Sequence, residues 1–226
     1  MEEVIMRVGE SPGTDFVRYL IWIAFSIATL MLKNNAANQK GFNMPMVIAF
    51  FAVGLITLFL MIRKYIREER SFSDTADGFV YSLVSNIGLV SLMIVMVCLL
   101  RIMISYLQVT GKLPSFANDD VLSSDQNVFL FNMVANVFIV AIQQQLVQTG
   151  FFFNYFFRKT SAYSAVMGII LSGIIAGLIS LPGSLLQFLM MMALGWCYAL
   201  TYLYTKDEKM AIFVAMVSAA VGTIII

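Results

Sequence analysis

The sequence predicts an all-α, multi-pass transmembrane bundle of about seven helices. Of its 226 residues, 60% are hydrophobic and only 12% are charged, and the mean hydropathy is +0.87. A soluble domain is about a quarter charged, so a chain this apolar needs lipid as its solvent. Its apolar runs are continuous, whereas a membrane barrel would alternate apolar and polar residues in roughly ten-residue pieces. Helices are therefore the predicted spanning elements.

Each span is justified by length, because a helix needs about 20 mostly apolar residues to cross the hydrocarbon core. Segments of this kind recur along the whole chain. They lie at roughly residues 16–33, 45–63, 78–100, 127–148, 161–181, 183–204 and 208–226.

Lysine and arginine counts in the loops predict the orientation, since cytoplasmic loops carry an excess of these residues. With the N-terminus in the cytoplasm and the C-terminus outside, ten basic residues face inward and four face outward. The inner ones are Arg7, Arg18, Arg63, Lys64, Arg67, Arg70, Arg158, Lys159, Lys206 and Lys209, and the outer ones are Lys33, Lys40, Arg101 and Lys112.

Two loops stand out by charge. Residues 64–77 form a basic cytoplasmic linker, which is interpreted as a topogenic signal or as a contact with anionic lipid. The longest outer loop, 108–126, is acidic through Asp119, Asp120 and Asp125. We expect it to be a solvated loop, or the docking site if an extracytoplasmic partner exists.

Composition excludes several classes of chemistry. Histidine, the commonest general base and metal ligand, is absent from the sequence. The cysteines, Cys98 and Cys197, lie inside apolar runs and are interpreted as small buried hydrophobes. No cofactor or metal site is therefore predicted. The net charge of +1 argues against a nucleic-acid partner, and membrane lipid is the expected surrounding.

Ionisable residues are predicted only at span ends. Arg18, Lys33, Arg63 and Arg101 fall there, where long side chains can extend to the interface. A proton relay or an intramembrane protease needs titratable groups deeper in the bilayer. The pattern therefore weighs against both functions.

The fourth span carries the densest neutral polar content. Asn132, Asn136 and Gln143 share one helical face, because side chains recur at the helical period. Four further residues, Gln144, Gln145, Gln148 and Thr149, extend this polar region. Amides in hydrocarbon need partners, so we expect them to bond neighbouring helices, with Ser82 and Asn86 as candidates, or to line a polar cavity for a ligand or peptide.

The fifth span carries small residues at four-residue spacing, a pattern that lets two helix backbones approach closely. The ladder comprises Ser164, Gly168, Ser172, Ala176 and Ser180, with Gly173 and Gly177 beside it. We predict a packing face.

The last four spans resemble the CAAX-protease and bacteriocin-processing family, also known for bacteriocin self-immunity. Active members carry Glu-Glu-x-x-x-Arg-Gly, then Phe-x-x-x-His, then His-x-x-x-Asn. In this sequence, Gln144 and Gln145 stand at the two glutamate positions, Thr149 at the arginine position, and Gly150 matches.

The later motifs are altered in the same way. Ala176 and Ser180 stand at the phenylalanine and histidine positions, and Val217 and Val221 at the final histidine and asparagine positions. The resemblance divides the chain into residues 1–126, with three spans, and residues 127–226, the family-like core of four helices. In the family, the glutamates and histidines are thought to activate water or hold a metal. Their replacement implies a catalytically inactive member.

Three functions follow as hypotheses. The resemblance implies a pseudoprotease of the bacterial plasma membrane that binds another membrane or cell-envelope protein or peptide. It would act as a scaffold, regulator or bacteriocin self-immunity factor, and Asn132, Asn136, Gln144, Gln145 and Gln148 would line its groove. A channel or small-solute transporter subunit is the alternative. A weaker alternative is an active peptidase with Ser180 or Thr149 as nucleophile, for which no base is evident. The oligomeric state is left open.

Overall fold

A computed structural model describes residues 12–38, 41–68, 78–112, 126–157 and 162–225. Several predictions fall outside these ranges: the acidic residues of the long outer loop, most of the basic linker, and the cations Arg7, Lys40, Arg70, Arg158 and Lys159. Within the described residues, seven helices are long and apolar enough to cross a membrane. The predicted helical membrane fold is confirmed, while the cytoplasmic N-terminus stays a prediction.

The helices follow the predicted order with shifted ends. They are α1 (Pro12–Ala36), α2 (Met44–Glu68), α3 (Phe79–Ser85), α4 (Ile87–Val109), α5 (Gln126–Phe156), α6 (Ala162–Ile179), α7 (Leu185–Thr205) and α8 (Glu208–Ile225). Two antiparallel two-residue strands, β1 (Ala37–Asn38) and β2 (Gly41–Phe42), join α1 to α2.

The third predicted span differs most from the structure. The sequence places it at 78–100, but a short helix ends at Ser85 and the long helix α4 runs from Ile87 to Val109. The predicted span ended at residue 100 because Arg101 interrupts the apolar run. In the structure α4 continues eight residues beyond that arginine.

Helix α5 is the central element of the bundle. In its most apolar window 61% of the residues are buried, against 22% in α4. Its first half packs with α1 and α2 around Phe50 and Phe131, and its second half packs with α1, α2, α7 and α8 around Phe151 and Tyr202. A third cluster joins α4, α7 and α8. The outer helices turn large apolar side chains outward, as lipid-facing helices do.

Small residues bring α6 and α7 together, as the four-residue spacing predicts. A Cβ atom at Gly177 would lie 2.6 Å from the Phe188 ring and one at Gly173 would overlap Trp196, both in α7. A Cβ atom at Gly168 would overlap Phe153 of α5. Close approach therefore requires glycine at these positions. The turn between the helices contains Pro182. Helix α7 begins after Ser184, whose hydroxyl accepts a hydrogen bond from the Gln187 N–H at 3.1 Å.

A charged cluster joins α1, α2 and α5 at one end of the bundle. The Glu68 carboxylate lies 2.6 Å from Lys64 Nζ and 3.8 Å from an Arg18 guanidinium nitrogen. It also accepts a hydrogen bond of 2.7 Å from the Tyr155 hydroxyl. This end is the one predicted to face the cytoplasm.

Candidate functional site

A cavity of about 210 Å³ lies among the membrane-spanning helices. Helix α5 supplies one wall, and α1, α4, α6, α7 and α8 supply the rest. Its polar lining includes Asn132, Asn136, Gln144 and Gln148 of α5, Ser180 after α6, and Gln187 and Tyr198 of α7. The structure therefore brings five of the predicted site residues to one cavity.

The winding of α5 explains which amides reach the cavity. Ala135–Val140 and Leu146–Phe151 are π-helical, and a π-turn inserts one extra residue into an α-helix. In an undistorted helix, Gln143 would share a face with Asn136 seven residues earlier. The inserted residue brings Gln144 to the cavity instead.

Gln143 consequently points to a different neighbour. Its Nε2 donates a hydrogen bond of 2.8 Å to the Gly54 carbonyl oxygen of α2, which is the inter-helix bond expected of a buried amide. The predicted partners Ser82 and Asn86 are wrong. The Asn86 amide donates to the Ser82 carbonyl within its own segment. Asn136 instead bonds Thr223 of α8, with Nδ2 to Oγ1 at 3.1 Å.

Gln145 and Thr149 lie behind the cavity wall, in a buried hydrogen-bond chain. The Gln148 amide donates to Gln145 Oε1, and Gln145 Nε2 donates to Thr149 Oγ1 at 2.6 Å. The Thr149 hydroxyl lies 2.5 Å from Glu208 Oε1. The same hydroxyl also lies 2.8 Å from the Gln145 carbonyl oxygen. The Glu208 carboxylate at the end of the chain is only 1% exposed and occupies the first turn of α8. A helix N-terminus favours such a negative charge.

Glu208 was missed by the sequence analysis because hydropathy places it at the very start of a span. The structure packs it against Thr149 in the second half of α5, which extends to Phe156. Ionisable side chains at the helix ends are thus buried, whereas the sequence analysis expected those at span ends to extend to the membrane interface. Lys33 shows the same, being 3% exposed.

Two cations line the cavity, and neither was predicted there. Lys33 of α1 and Arg101 of α4 are both lining residues. Arg101 Nε donates a hydrogen bond of 3.1 Å to the Ser218 hydroxyl of α8. A Cβ at Gly222 would lie 3.1 Å from three guanidinium atoms, so the guanidinium lies directly on α8. The sequence feature that could have indicated this position is Arg101 itself, since it lies within an apolar run.

Val217 and Val221 are not among the lining residues of the cavity. Helix α8 instead presents Ala215, Ala219 and the adjacent residues Gly222 and Thr223. The side of α8 that faces the cavity is therefore offset from the two valines.

Ser180 lies on the cavity, but its hydroxyl donates to the Gly177 carbonyl at 2.7 Å. The nearby Gln187 side chain accepts a hydrogen bond of 2.7 Å from the Gly183 N–H. A nucleophilic serine needs an adjacent base, whereas the hydrogen bond of the Ser180 hydroxyl is to a backbone carbonyl. The surroundings suit a structural turn.

The lining can donate and accept hydrogen bonds through its amide, hydroxyl and cationic side chains. None of its twenty residues is aspartate, glutamate, histidine or cysteine. Across the described ranges, no group of three or more such side chains is placed to hold a metal ion. Asn132, 4% exposed, has no hydrogen-bond partner on either side-chain atom among the described residues. Such a buried, unsatisfied amide is costly unless a ligand supplies the missing bonds.

Comparison with known proteins finds one family model that matches part of the chain. The model of the Rce1-like family, described as type II CAAX prenyl endopeptidase Rce1-like, matches residues 126–221. The match covers somewhat less than half of the chain and coincides with α5 to α8. The resemblance predicted from residues 127–226 is thus confirmed. No curated protein and no solved structure matches this chain.

Proposed function

Because residues 126–221 are Rce1-like, we propose that this membrane protein is a non-hydrolysing relative of the CAAX endopeptidases. Its cavity would bind a peptide or a membrane segment of another protein. One observation carries the proposal: at the family's first motif the cavity presents the amide Gln144, with Gln148 one turn later.

The chemistry of these residues supports binding rather than cleavage. A neutral amide cannot take a proton from water as a carboxylate does. Serine replaces a motif histidine at Ser180, and the whole sequence lacks histidine. Hydrolysis of a peptide needs an activated water or nucleophile, and the lining has no aspartate, glutamate, histidine or cysteine to activate one.

The same amides suit recognition of a peptide. Each carboxamide can donate two hydrogen bonds and accept two, which matches the N–H and C=O groups of a polypeptide backbone. Asn132 already lacks partners, so a ligand that satisfies it would gain free energy. The volume of about 210 Å³ suits one side chain or chain end rather than a whole segment.

A binding role of this kind serves a scaffold, a regulator or a bacteriocin self-immunity factor of the bacterial plasma membrane. Deletion of the gene distinguishes the immunity role from the other two. Loss of immunity would raise sensitivity to an antimicrobial peptide. Loss of a scaffold or regulator would alter the level or activity of a cell-envelope protein.

Photo-crosslinking from inside the cavity tests the proposal. A photoreactive amino acid replaces Gln144 in the full-length protein in living cells, and the matched control carries it at Phe138, which is 53% exposed on the same helix. We expect a discrete protein or peptide adduct from position 144 and none from position 138.

Two results would contradict the proposal. One is an identical set of adducts from both positions. The other is cleavage of a fluorogenic peptide by the purified protein that is lost in Ser180→Ala.

A further inference from the structure

The cavity holds a cation, Arg101, that forms no ion pair with any carboxylate of the residues that the structure describes. Helix α4 places Arg101 eight residues before its end, about 12 Å along the helix axis at 1.5 Å per residue. Its hydrogen-bond partner is the neutral Ser218 hydroxyl, and Tyr198 interacts with it as well. Over the described part of the chain, no carboxylate forms an ion pair with Arg101.

A charge at this depth is costly unless it is paired. Lys33 is the other cation of the lining, and no aspartate or glutamate belongs to it. Both cations come from helices outside the Rce1-like segment 126–221. Helices α1 and α4 thus contribute the positive charges of the cavity, and α5 to α8 contribute most of its other lining residues.

Neighbouring contacts hold the guanidinium in place. Gly222 allows it to lie against α8, and one of its five N–H groups is bonded to Ser218. A fixed guanidinium binds a carboxylate through paired, charge-assisted hydrogen bonds. Asn132, on the same cavity and without partners, can donate to such a group as well.

From this arrangement we propose that the ligand of the cavity presents a carboxylate to Arg101. This inference rests on the proposed function, and it names the chemistry of the bound group. The carboxylate is an acidic side chain within an apolar segment of the partner, or the free end of its chain. In both cases the partner's negative charge, which is itself costly in the membrane, is neutralised on binding.

Three fluorescent peptides of the same apolar sequence distinguish the sources. The first has a central glutamate and an amidated end, the second a central glutamine and an amidated end, and the third a central glutamine and a free carboxylate. Binding is measured to the full-length protein in nanodiscs of zwitterionic phosphatidylcholine. We expect one of the carboxylate peptides to bind about tenfold or more tightly than the neutral one. The one that does identifies the source.

Variants locate the effect at Arg101. In Arg101→Gln the preference for a carboxylate should fall to about one, whereas Arg101→Lys should keep part of it. Lys112→Gln, which removes an exposed cation just beyond the same helix, should leave it unchanged. The wild-type comparison stands on its own if Arg101→Gln does not fold.

Several results would overturn the inference. Equal binding of all three peptides would remove the carboxylate requirement and leave the proposed peptide-binding function standing. A preference that persists in Arg101→Gln would place the anion elsewhere. Binding of no peptide, together with retention of phosphatidylglycerol by the wild type but not by Arg101→Gln in native mass spectrometry, would assign the site to a lipid phosphate.

Discussion

Two neighbouring glutamines of α5 have different surroundings. Gln144 faces a cavity that contains Lys33 and Arg101. Gln145 is fully buried, and its amide donates to Thr149, whose hydroxyl lies 2.5 Å from the Glu208 carboxylate. The same chemical change should therefore have opposite effects at the two positions.

Replacement of each glutamine by glutamate, in separate variants, tests this difference. Gln145→Glu places a second carboxylate next to the hydroxyl that contacts Glu208, and like charges so close together oppose each other. We expect the free energy of unfolding to fall by about 2 kcal/mol or more. It can be measured by thermal or denaturant unfolding in detergent.

Gln144→Glu is the matched control, because its new charge would face two cations. Its stability should stay near that of the wild type. Equal losses in the two variants would contradict the hydrogen-bond chain described for Gln145.

At the scale of the helices, the close packing of α6 against α7 requires glycine, which has no side chain, at the contact. A methyl group at Gly173 would overlap the Trp196 indole and lie 2.9 Å from the Met192 carbonyl oxygen. A flexible side chain can move away, but a backbone carbonyl in a helix cannot do so cheaply. The pairing of these helices therefore depends on Gly173.

Gly173→Ala should reduce stability by about 1–3 kcal/mol, the usual cost of overpacking. Gly88→Ala is the control: it lies in α4 with nothing within 4 Å of the new methyl group. There alanine should be neutral or slightly stabilising, because it favours the helix. Comparison of the unfolding curves of the two variants tests the contact, and equal effects would contradict it.

Much of this helix-level organisation could be predicted from the sequence. Apolar length predicts the number and order of the seven spans, although the third begins nine residues later than predicted, and the small residues of α6 identify its packing face. The π-turns in α5 could not be predicted, since no residue type marks an inserted residue, so Gln143 was placed on the face that Gln144 occupies. The location of Arg101 inside a span was not predicted, because hydropathy alone places the end of a span at a charged residue. Its neighbours on α8, Ser218 and Gly222, are known only from the structure.

For the whole molecule, the basic residues predict the orientation in the membrane. The cluster of Arg18, Lys64 and Glu68 lies at the end predicted to face the cytoplasm. Lys112 follows α4 at the opposite end of the bundle. The cavity cations then lie on the outward half of α1 and α4, so a ligand would engage them from that side.

Cysteine labelling in intact cells tests this orientation. In a background in which Cys98 and Cys197 are alanine, Lys112→Cys should react with a membrane-impermeant maleimide. Arg67→Cys, an exposed position near the end of α2, should react only after permeabilisation. The reverse pattern would place the N-terminus outside.

The extra residue wound into α5 between Asn136 and Gln144 makes the cavity sensitive to a kind of change that substitutions do not mimic. Loss of a single codon from 135–140 would let the helix relax to ordinary winding and leave Gln144 facing the cavity, because the residue that the π-turn accommodates would be gone. Gain of one codon there, without a further π-turn, would instead swing everything beyond it by about 100° relative to the first half. One small insertion would thereby exchange the whole set of amides that a bound partner meets, while the composition of the span hardly changes.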